Sequence, residues 1–323
     1  MTDPSTLFSY ERHIDARTLR GETMLVTLGS FGDTGHSQEV LDDHLLNTLS
    51  SRVVGRLDMD QIHDYAGRRP EVTLERDRFV DYQKPEILLY EVQDLDGEPF
   101  FLLTGPEPSL QWEQVVASLR MVAEQLGIRR TIITSSFPAP VPHTRPLQVT
   151  RFAADPEDIT VPKPMPAVLR LRSSFSALLT LRFGEAGHDV IGLVAHVPQY
   201  LADLSYPDAG LALFQAVQEE GGPSIPVGSL EATAESVRRG IDEQVASSEQ
   251  LQEMIAGLEK HYDRMITASS ADQTVPSAEE IGAEVESFLA GLASDGSPDE
   301  ESDGDDPEDG DGTDPEDGPL SAG

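Results

Sequence analysis

The chain has 323 residues with 58 acidic and 23 basic side chains, a formal net charge of −35 and no cysteine. This acidic excess repels nucleic-acid phosphates and anionic lipid, and the lack of thiols excludes disulfides, zinc-thiolate sites and cysteine nucleophiles. The sequence shows no signal peptide and no apolar run of bilayer-spanning length, so we expect a cytoplasmic protein without a nucleic-acid or membrane partner.

The acidic charge is concentrated towards the C-terminal end of the chain. From Met265 to Gly323 there are 18 acidic and no basic residues, whereas the residues before Met265 hold the other 40 acidic and all 23 basic side chains. This change of composition and the length of the chain suit one large domain followed by a tail. We therefore predict a globular domain over residues 1–266.

The first strong pattern in the domain is an apolar stretch, Met24–Leu28, which leads through a glycine-rich turn into a helical segment. In that segment the apolar positions recur at helical spacing: Val40, Leu41, Leu45 and Leu49. Asp42 then falls on the opposite, polar face. The unit is predicted as a strand, a turn and a helix.

Strand and helix patterns continue to alternate through the domain. Apolar or β-rich runs predict strands at residues 52–57, 86–92, 99–104, 131–137, 147–152 and 189–197. Apolar stripes predict helices at 111–126 and 207–220, whereas 174–182 fits a helix or a strand. Several strands are apolar on both faces, as strands covered on both sides by helices must be. The predicted fold is an α/β protein, a three-layer α/β/α sandwich with a mostly parallel or mixed central sheet.

Two helical segments have features that predict how they end or pack. Ser109 is the expected N-cap of the helix over 111–126, and Gly127 is placed to take the left-handed C-cap conformation. Residues 229–265 carry a narrow apolar stripe and two interior glycines, which favour either one bent helix or a helical hairpin. Packing on the domain's own sheet is the more common outcome for such a stripe, and an arm that contacts another subunit is the alternative.

The tail divides into three predicted segments. Residues 267–276 form a polar linker, residues 277–292 a short amphipathic helix that begins with a capping box, and residues 293–323 a disordered acidic tail. The helix carries the candidate partner-binding residues on one apolar stripe: Ile281, Val285, Phe288, Leu289 and Leu292. Such a short helix is marginal alone in water, so the stripe docks either on the domain or in a partner's hydrophobic groove.

The glycine-rich turn after the first strand is a candidate ligand site. Gly29, Gly32, Asp33 and Gly35 lie where backbone amides and a helix N-terminus can bind an anion. The turn lacks the lysine of a P-loop and the spacing of a dinucleotide fold, and Asp33 would oppose a phosphate. A tight turn that needs positive φ at one or more glycines explains the same residues.

A second candidate ligand site lies further along the chain. Two prolines stiffen the segment Pro142–Pro146 and present His143 and Arg145, which suit an oxygen-rich ligand or a neighbouring carboxylate. His196 would join them and Asp33 if the strands are parallel, because the C-terminal ends of parallel strands share one edge. The structural alternatives are an ion pair for Arg145 and a core position for His196.

No pattern typical of a catalytic site is present in the sequence. There is no Ser-His-Asp order, nucleophile elbow, His-Glu-x-x-His or paired-carboxylate motif. We therefore assign no catalytic residue, and we predict neither a cofactor nor a metal site.

These segments together resemble one known family over residues 22–264. The matching motifs are Asp33-Thr34-Gly35, Asp64-Tyr65, Arg69-Pro70, Gly105-Pro106-Glu107-Pro108 followed by Trp112, Pro142-His143-Thr144-Arg145-Pro146 and Val197-Pro198-Gln199-Tyr200. In their order and spacing the chain is similar to the proteasome assembly chaperone 2 family, in its bacterial, actinobacterial-type branch. It departs from the family at Thr34, where alanine is frequent, and at Gln199, where histidine is frequent.

The resemblance implies a fold similar to that of nucleoside phosphorylases and related hydrolases, and self-association into small rings, with trimers favoured. It favours a non-catalytic assembly or scaffold protein that acts on a protein partner through its surface. The alternative is a small-molecule-binding enzyme of phosphorylase-like or hydrolase-like type, whose candidate residues would hold a nucleoside or a phosphate. A role in proteasome assembly is implied by the resemblance alone.

Overall fold

The structure is a computed structural model that describes residues 3–29, 33–159, 170 and 172–270. Its strands are β1 Phe8–Tyr10, β2 Thr23–Gly29, β3 Ser50–Leu57, β4 Thr73–Glu75, β5 Arg78–Val80, β6 Leu88–Gln93, β7 Pro99–Pro106, β8 Arg130–Ala139, β9 Val149–Ala153 and β10 Asp189–Pro198. Its helices are α1 Ser37–Thr48, α2 Met59–Ile62, α3 Trp112–Leu126, α4 Phe175–Glu185, α5 Pro207–Glu219, α6 Gly228–Ala246 and α7 Glu249–Ser270. Gly32, the predicted helix over 277–292 and the acidic tail over 293–323 lie outside the described residues.

The described strands form one large sheet and one small sheet. The large sheet has eight strands in the order β1-β3-β6-β7-β2-β8-β10-β9, and β4 pairs with β5 alone. Its four central strands β7, β2, β8 and β10 are parallel, whereas β6, β3, β1 and β9 are added antiparallel at the two sides. Parallel neighbours need crossover connections, which are helical here. The prediction of a mixed α/β sheet is confirmed.

Helices cover both faces of the sheet, because most central strand residues are apolar on both sides. On one face α3 and α4 pack against the sheet through side chains such as Phe101, Phe175 and Phe183. On the other face α1 and α5 bury Leu41 and Phe214 against strand residues of opposite parity. The three-layer α/β/α sandwich predicted from the sequence is therefore confirmed.

The long helical stretch is a hairpin of α6 and α7, one of the two predicted alternatives. Helix α6 packs on α5, and α7 packs on α6. The predicted apolar stripe is turned inward, with Leu230, Ile255, Leu258 and Tyr262 buried. Helix α7 also continues to Ser270, so residues 267–270 are helical instead of beginning the predicted linker. No helix among the described residues is long and apolar enough to cross a membrane.

Three local predictions have different outcomes. Gly127 has φ 72° and ends α3 as expected, whereas the predicted N-cap Ser109 is wrong. Helix α3 starts later because Gln111 takes a left-handed conformation (φ 56°) and anchors its side-chain amide on a carbonyl of the α2 region, the Gln61 oxygen at 2.7 Å. The ambiguous segment near residue 174 is the helix α4, whose first turn is capped by the Ser174 hydroxyl.

Candidate functional site

The predicted site motifs follow the C-terminal ends of parallel strands. β2 ends at Gly29, β8 at Ala139 and β10 at Pro198, and all three strands run in the same direction. Their ends therefore lie at one edge of the sheet, as the sequence argument required. We call this region the C-terminal edge.

At the C-terminal edge, Asp33 holds the start of α1. Its Oδ1 accepts the backbone N–H of Gln38 at 2.9 Å and the hydroxyl of Ser37 at 3.0 Å. The Ser37 hydroxyl also lies 2.7 Å from the hydroxyl of Ser136 on β8, which in turn donates to the Thr34 carbonyl at 3.0 Å. The polar side chains of this turn are thus bonded to one another and to the sheet.

Gly35 has the positive φ that the tight-turn interpretation expects, 70°. A Cβ at this position would lie 3.1 Å from Val197 and 3.2 Å from Tyr206, so the residue is also closely packed. Its N–H donates to the Ala202 carbonyl at 2.7 Å, and its own carbonyl accepts the Tyr206 N–H at 2.9 Å. Gly35 therefore joins the turn to the segment that follows β10.

These bonds limit what the turn can offer to an anion. The backbone amides of Gly35, His36 and Gln38 all donate to protein oxygens, two of them from Asp33. Gly29 has neither positive φ nor a close neighbour, since its Cβ position would be 3.7 Å from the nearest heavy atom. The described residues of the turn therefore connect the start of α1 to β8 and to the segment after β10.

His143 is buried and bonded through both ring nitrogens. Its backbone N–H donates to the Tyr200 hydroxyl oxygen at 2.7 Å, and its Nδ1 is also 2.7 Å from that oxygen. Because the Asp242 carboxylate can only accept, Nε2 carries a hydrogen and donates to Asp242 Oδ1 at 3.1 Å. In that tautomer Nδ1 accepts the hydrogen of the Tyr200 hydroxyl. Burial also raises the pKa of Tyr200 to about 12. His143 thus links the 3-10 turn Gln199–Leu201, which follows β10, to α6.

Arg145 and its neighbours bind α7. The guanidinium makes two parallel bonds of 2.8 Å to the Asp263 carboxylate and a third of 2.9 Å to Glu259. These bonds raise the pKa of Arg145 and lower that of Asp263. The Tyr262 hydroxyl donates to the Pro146 carbonyl at 2.8 Å. The segment Pro142–Pro146, which we call the clamp loop, therefore fastens the α6–α7 hairpin to the domain.

His196 does not meet the other candidates, although it ends a parallel strand. It lies on the sheet face opposite to Ala195 and Val197, which pack in the core under α1 and α5. Its Nε2 is 2.7 Å from the Thr150 hydroxyl, and its ring packs edge-on against Phe137. Burial lowers the pKa of His196 to about 4, so the ring is neutral at physiological pH. Sharing an edge of the sheet did not mean sharing a face.

Asp42 is a polar group of the C-terminal edge that the sequence analysis placed on the solvent face. Its two carboxylate oxygens accept the hydroxyls of Thr27 on β2 and Thr104 on β7. These threonines are paired in register, so one side chain from α1 reaches both strands. Burial raises the pKa of Asp42 to about 7, and the carboxylate of Asp33 acts in the same direction. The signal in the sequence was a threonine near the end of two otherwise apolar strands.

The fold and the site geometry together define a class of protein. It is a three-layer α/β/α protein in which the described polar residues of the C-terminal edge hold helices on the sheet. Asp33, His143 and Arg145 are each bonded to other protein groups, and no described histidine lies within bonding distance of a serine hydroxyl at this edge. Among the described residues, this arrangement holds helices and loops against the sheet.

The chain belongs to the PAC2 family, whose model matches residues 27–245. The resemblance to the proteasome assembly chaperone 2 family is therefore confirmed. None of the curated proteins matches the chain.

Several solved structures share the fold of this chain. A protein of unknown function from Mycobacterium tuberculosis is 35% identical, with a TM-score of 0.78 over 84% of this chain and 92% of its own. A protein of unknown function from Corynebacterium glutamicum is 30% identical, with a TM-score of 0.75 over 80% of this chain and 98% of its own. A proteasome-assembly chaperone homologue from Mycobacterium tuberculosis shares the fold at 21% identity, with a TM-score of 0.63 over 72% of this chain and 99% of its own.

Proposed function

We propose that this protein is a non-catalytic assembly or scaffold protein that acts through its surface and its oligomeric form. The main observation behind the proposal is that its candidate reactive side chains are bonded to other groups of the protein. Asp33 caps α1, His143 and Arg145 fasten the α6–α7 hairpin, and His196 bonds Thr150 on the other face. Side chains with such partners stabilise the fold. A substrate could bind them only by breaking buried hydrogen bonds.

Membership of the PAC2 family supports the same proposal. One structural relative carries the name of a proteasome-assembly chaperone homologue, and it shares the fold with this chain. We extend from this to a chaperone-like role with a protein partner, and proteasome assembly is the specific form of that role suggested by the family. Fold alone does not determine function, so the partner must be established by binding.

The proposed working form is a homo-oligomer, a small ring such as a trimer, in the cytoplasm. The family suggests the ring, and the absence of cysteine is compatible with a reducing compartment. A net charge of −35 keeps copies apart in solution, so association needs a surface where this repulsion is locally relieved.

The tail supplies a further proposed contact. An amphipathic helix over residues 277–292 would present Phe288 and its neighbours to a hydrophobic groove, and the acidic residues after 293 would speed encounter with a basic surface. Amide hydrogen exchange of the full chain tests this. Protection of residues 281–292 only after a partner is added supports capture, whereas protection in the isolated protein that Phe288→Asp abolishes supports docking on the domain.

A small-molecule-binding enzyme is the second candidate, and Asp42 is the observation that favours it. A carboxyl group with a pKa near 7 at the C-terminal ends of parallel strands is the kind of group that ligand sites use. Its two hydroxyl partners occupy both carboxylate oxygens, which favours a structural role for it in the described structure.

A thermal-shift screen against nucleosides, sugars and inorganic phosphate separates the two proposals. The scaffold proposal predicts no stabilisation by any of these compounds at millimolar concentration. A compound that raises the melting temperature of wild type and of the exposed-site control His13→Ala, but of neither His143→Ala nor Arg145→Ala, would overturn it. Such a compound would place a ligand site at the clamp loop.

A further inference from the structure

The small β4–β5 sheet carries a concentrated set of exposed apolar side chains. In the segment Val72–Tyr82, which we call the hairpin segment, Val72, Leu74, Phe79 and Tyr82 are large apolar residues exposed to solvent. Leu74 and Phe79 are 60% and 72% exposed and stand directly opposite each other in the strand register. Elsewhere in the described structure the exposed large apolar residues are scattered along the chain. Val72 has the same parity as Leu74, so these two residues and Phe79 share one face of the hairpin. An exposed apolar patch of this kind marks an interaction site.

The hairpin segment receives little support from its own domain. Both strands have three residues, and none of the six is buried. Arg78 bonds Glu75 inside the hairpin, and the Gln83 N–H closes its base on the Glu71 carbonyl. Among the described residues, no hydrogen bond joins residues 72–82 to the sandwich. An isolated two-stranded hairpin is marginally stable in water, so covering its apolar pair would stabilise it.

The charge of this region identifies its partner. Residues 68–84 contain five basic and four acidic side chains, a net charge of +1 in a chain of net charge −35. Arg68, Arg78 and Lys84 are paired with carboxylates, whereas Arg69 and Arg76 form no ion pair with any described residue. An apolar patch beside unpaired guanidinium groups complements an acidic surface. A second copy of this chain provides such a surface.

We propose that the hairpin segment docks on the acidic sandwich of a second copy, with Leu74 and Phe79 covered and Arg76 facing carboxylates. This rests on the proposed self-association and assigns the surface through which it occurs. The hairpin segment itself is close to neutral, with Arg76 and Arg78 against Glu75, Asp77 and Asp81. The guanidinium groups of Arg69 and Arg76 meet more carboxylates on the sandwich than on a second hairpin, so the contact joins different surfaces of the two copies. Contacts of this heterologous type close into rings when the rotation between copies permits.

Sedimentation velocity of the full chain tests the proposal. The test variant is Leu74→Asp with Phe79→Asp, and the matched control is Leu95→Asp with Leu204→Asp, which places two carboxylates at similarly exposed leucines outside the hairpin segment. We expect wild type and the control to associate at micromolar concentration, and the test variant to associate at least tenfold more weakly. Circular dichroism of each variant confirms that the sandwich is folded.

A second variant guards against an effect of charge on the hairpin itself. Leu74→Thr with Phe79→Thr keeps strand propensity and removes the apolar pair without adding charge, and it should weaken association in the same direction. Association of both variants with wild-type strength would overturn the assigned surface while leaving the proposed oligomer intact. A monomeric wild type would instead overturn the proposed self-association, and the assigned surface with it.

The absence of cysteine permits an independent measurement of the contact. Phe79→Cys labelled with a photoreactive crosslinker is mixed with an equal amount of isotopically labelled chain. Crosslinks between the two isotopic forms, located on acidic peptides of the sandwich, are the expected result. Crosslinks confined within one copy, or found between two hairpin segments, would contradict the heterologous contact.

Discussion

The C-terminal edge and the hairpin segment differ in the surroundings of their side chains. At the edge, polar residues such as Asp33 and His143 are partly or fully buried and bonded to neighbouring elements. In the hairpin segment, apolar residues such as Leu74 and Phe79 face solvent and contact little of their own domain. The described residues of the C-terminal edge, where many α/β proteins bind ligands, here hold helices on the sheet, and exposed apolar surface lies elsewhere on the molecule.

The comparison can be tested first at Asp42, where the largest effect is expected. Its pKa is raised to about 7 in the folded state, against about 3.9 when unfolded, so the folded chain binds more protons between these values. The contribution of this carboxyl to stability is therefore fully present below about pH 4 and is lost as the pH rises towards 7. Replacing Asp42 with Asn removes that loss, and the variant should gain about 2 to 4 kcal/mol over wild type at pH 8.

Chemical denaturation at several pH values between 5 and 8 measures this gain. Asp43→Asn is the matched control, because it removes an exposed carboxylate one position along α1. The control should keep nearly all of the wild-type pH dependence, because Asp43 adds only the smallest of the effects that raise the pKa of Asp42. Parallel curves for wild type and Asp42→Asn would show that this carboxyl is not held in the closed environment described.

The substitution His143→Ala tests whether the buried bonds of the clamp loop stabilise the protein. Alanine at this position removes the ring from buried bonds with Tyr200 and Asp242, and leaves the Tyr200 hydroxyl without its acceptor. We expect a loss of about 1 to 3 kcal/mol in the free energy of unfolding, with faster amide exchange in α6. His13→Ala, at an exposed position, should change neither quantity. Equal behaviour of the two variants would mean that the clamp contributes no stability.

A pair of glycine substitutions isolates the packing of the turn before α1. Gly35 and Gly97 have similar positive φ values, 70° and 79°, but only Gly35 has close neighbours around its Cβ position. Alanine carries the same backbone cost at both sites, so the difference between the variants reports contact with Val197 and Tyr206. We expect Gly35→Ala to be about 1 kcal/mol more destabilising than Gly97→Ala in thermal unfolding. Equal effects would indicate that the turn is loosely packed.

The smallest effect is expected at Arg145, whose partners Glu259 and Asp263 lie towards solvent. Arg145→Ala should leave global unfolding nearly unchanged and speed amide exchange in the middle of α7, because exposed ion pairs contribute little and act locally. Added salt should reduce the difference from wild type. A large, salt-independent loss of stability would show that this ion pair is a central support of the fold.

The sequence predicted the sandwich because its signals are long and local. Central strands such as β7 and β10 are continuous apolar runs, and α3 carries a complete apolar stripe with Gly127 at its end. The parallel arrangement followed from the alternation of strands and helices. These features depend on periodicity over many residues, which survives without knowledge of tertiary contacts.

The sequence could not predict features that depend on a single position or on a short segment. Asp42 is adjacent to the buried stripe of α1, and only the threonines at the ends of β2 and β7 place it inward. His196 ends the expected strand but points to the other face, which depends on the parity of one residue. The strands β4 and β5 have three residues each, too few for a periodic pattern. Their proposed role in association depends on the exposure of their apolar side chains, which a sequence does not show.

Hydrogen exchange of the unmodified full chain at two concentrations, one below and one above its association midpoint, compares both regions in a single experiment. The account predicts that amides of residues 72–82 become protected at the higher concentration, while those of residues 33–38 and 142–146 are equally protected at both. Exchange in residues 72–82 that does not change with association would contradict the assignment of the hairpin segment as the contact surface. Rapid exchange at residues 33–38, slowed by addition of a nucleoside or phosphate, would contradict the closed C-terminal edge.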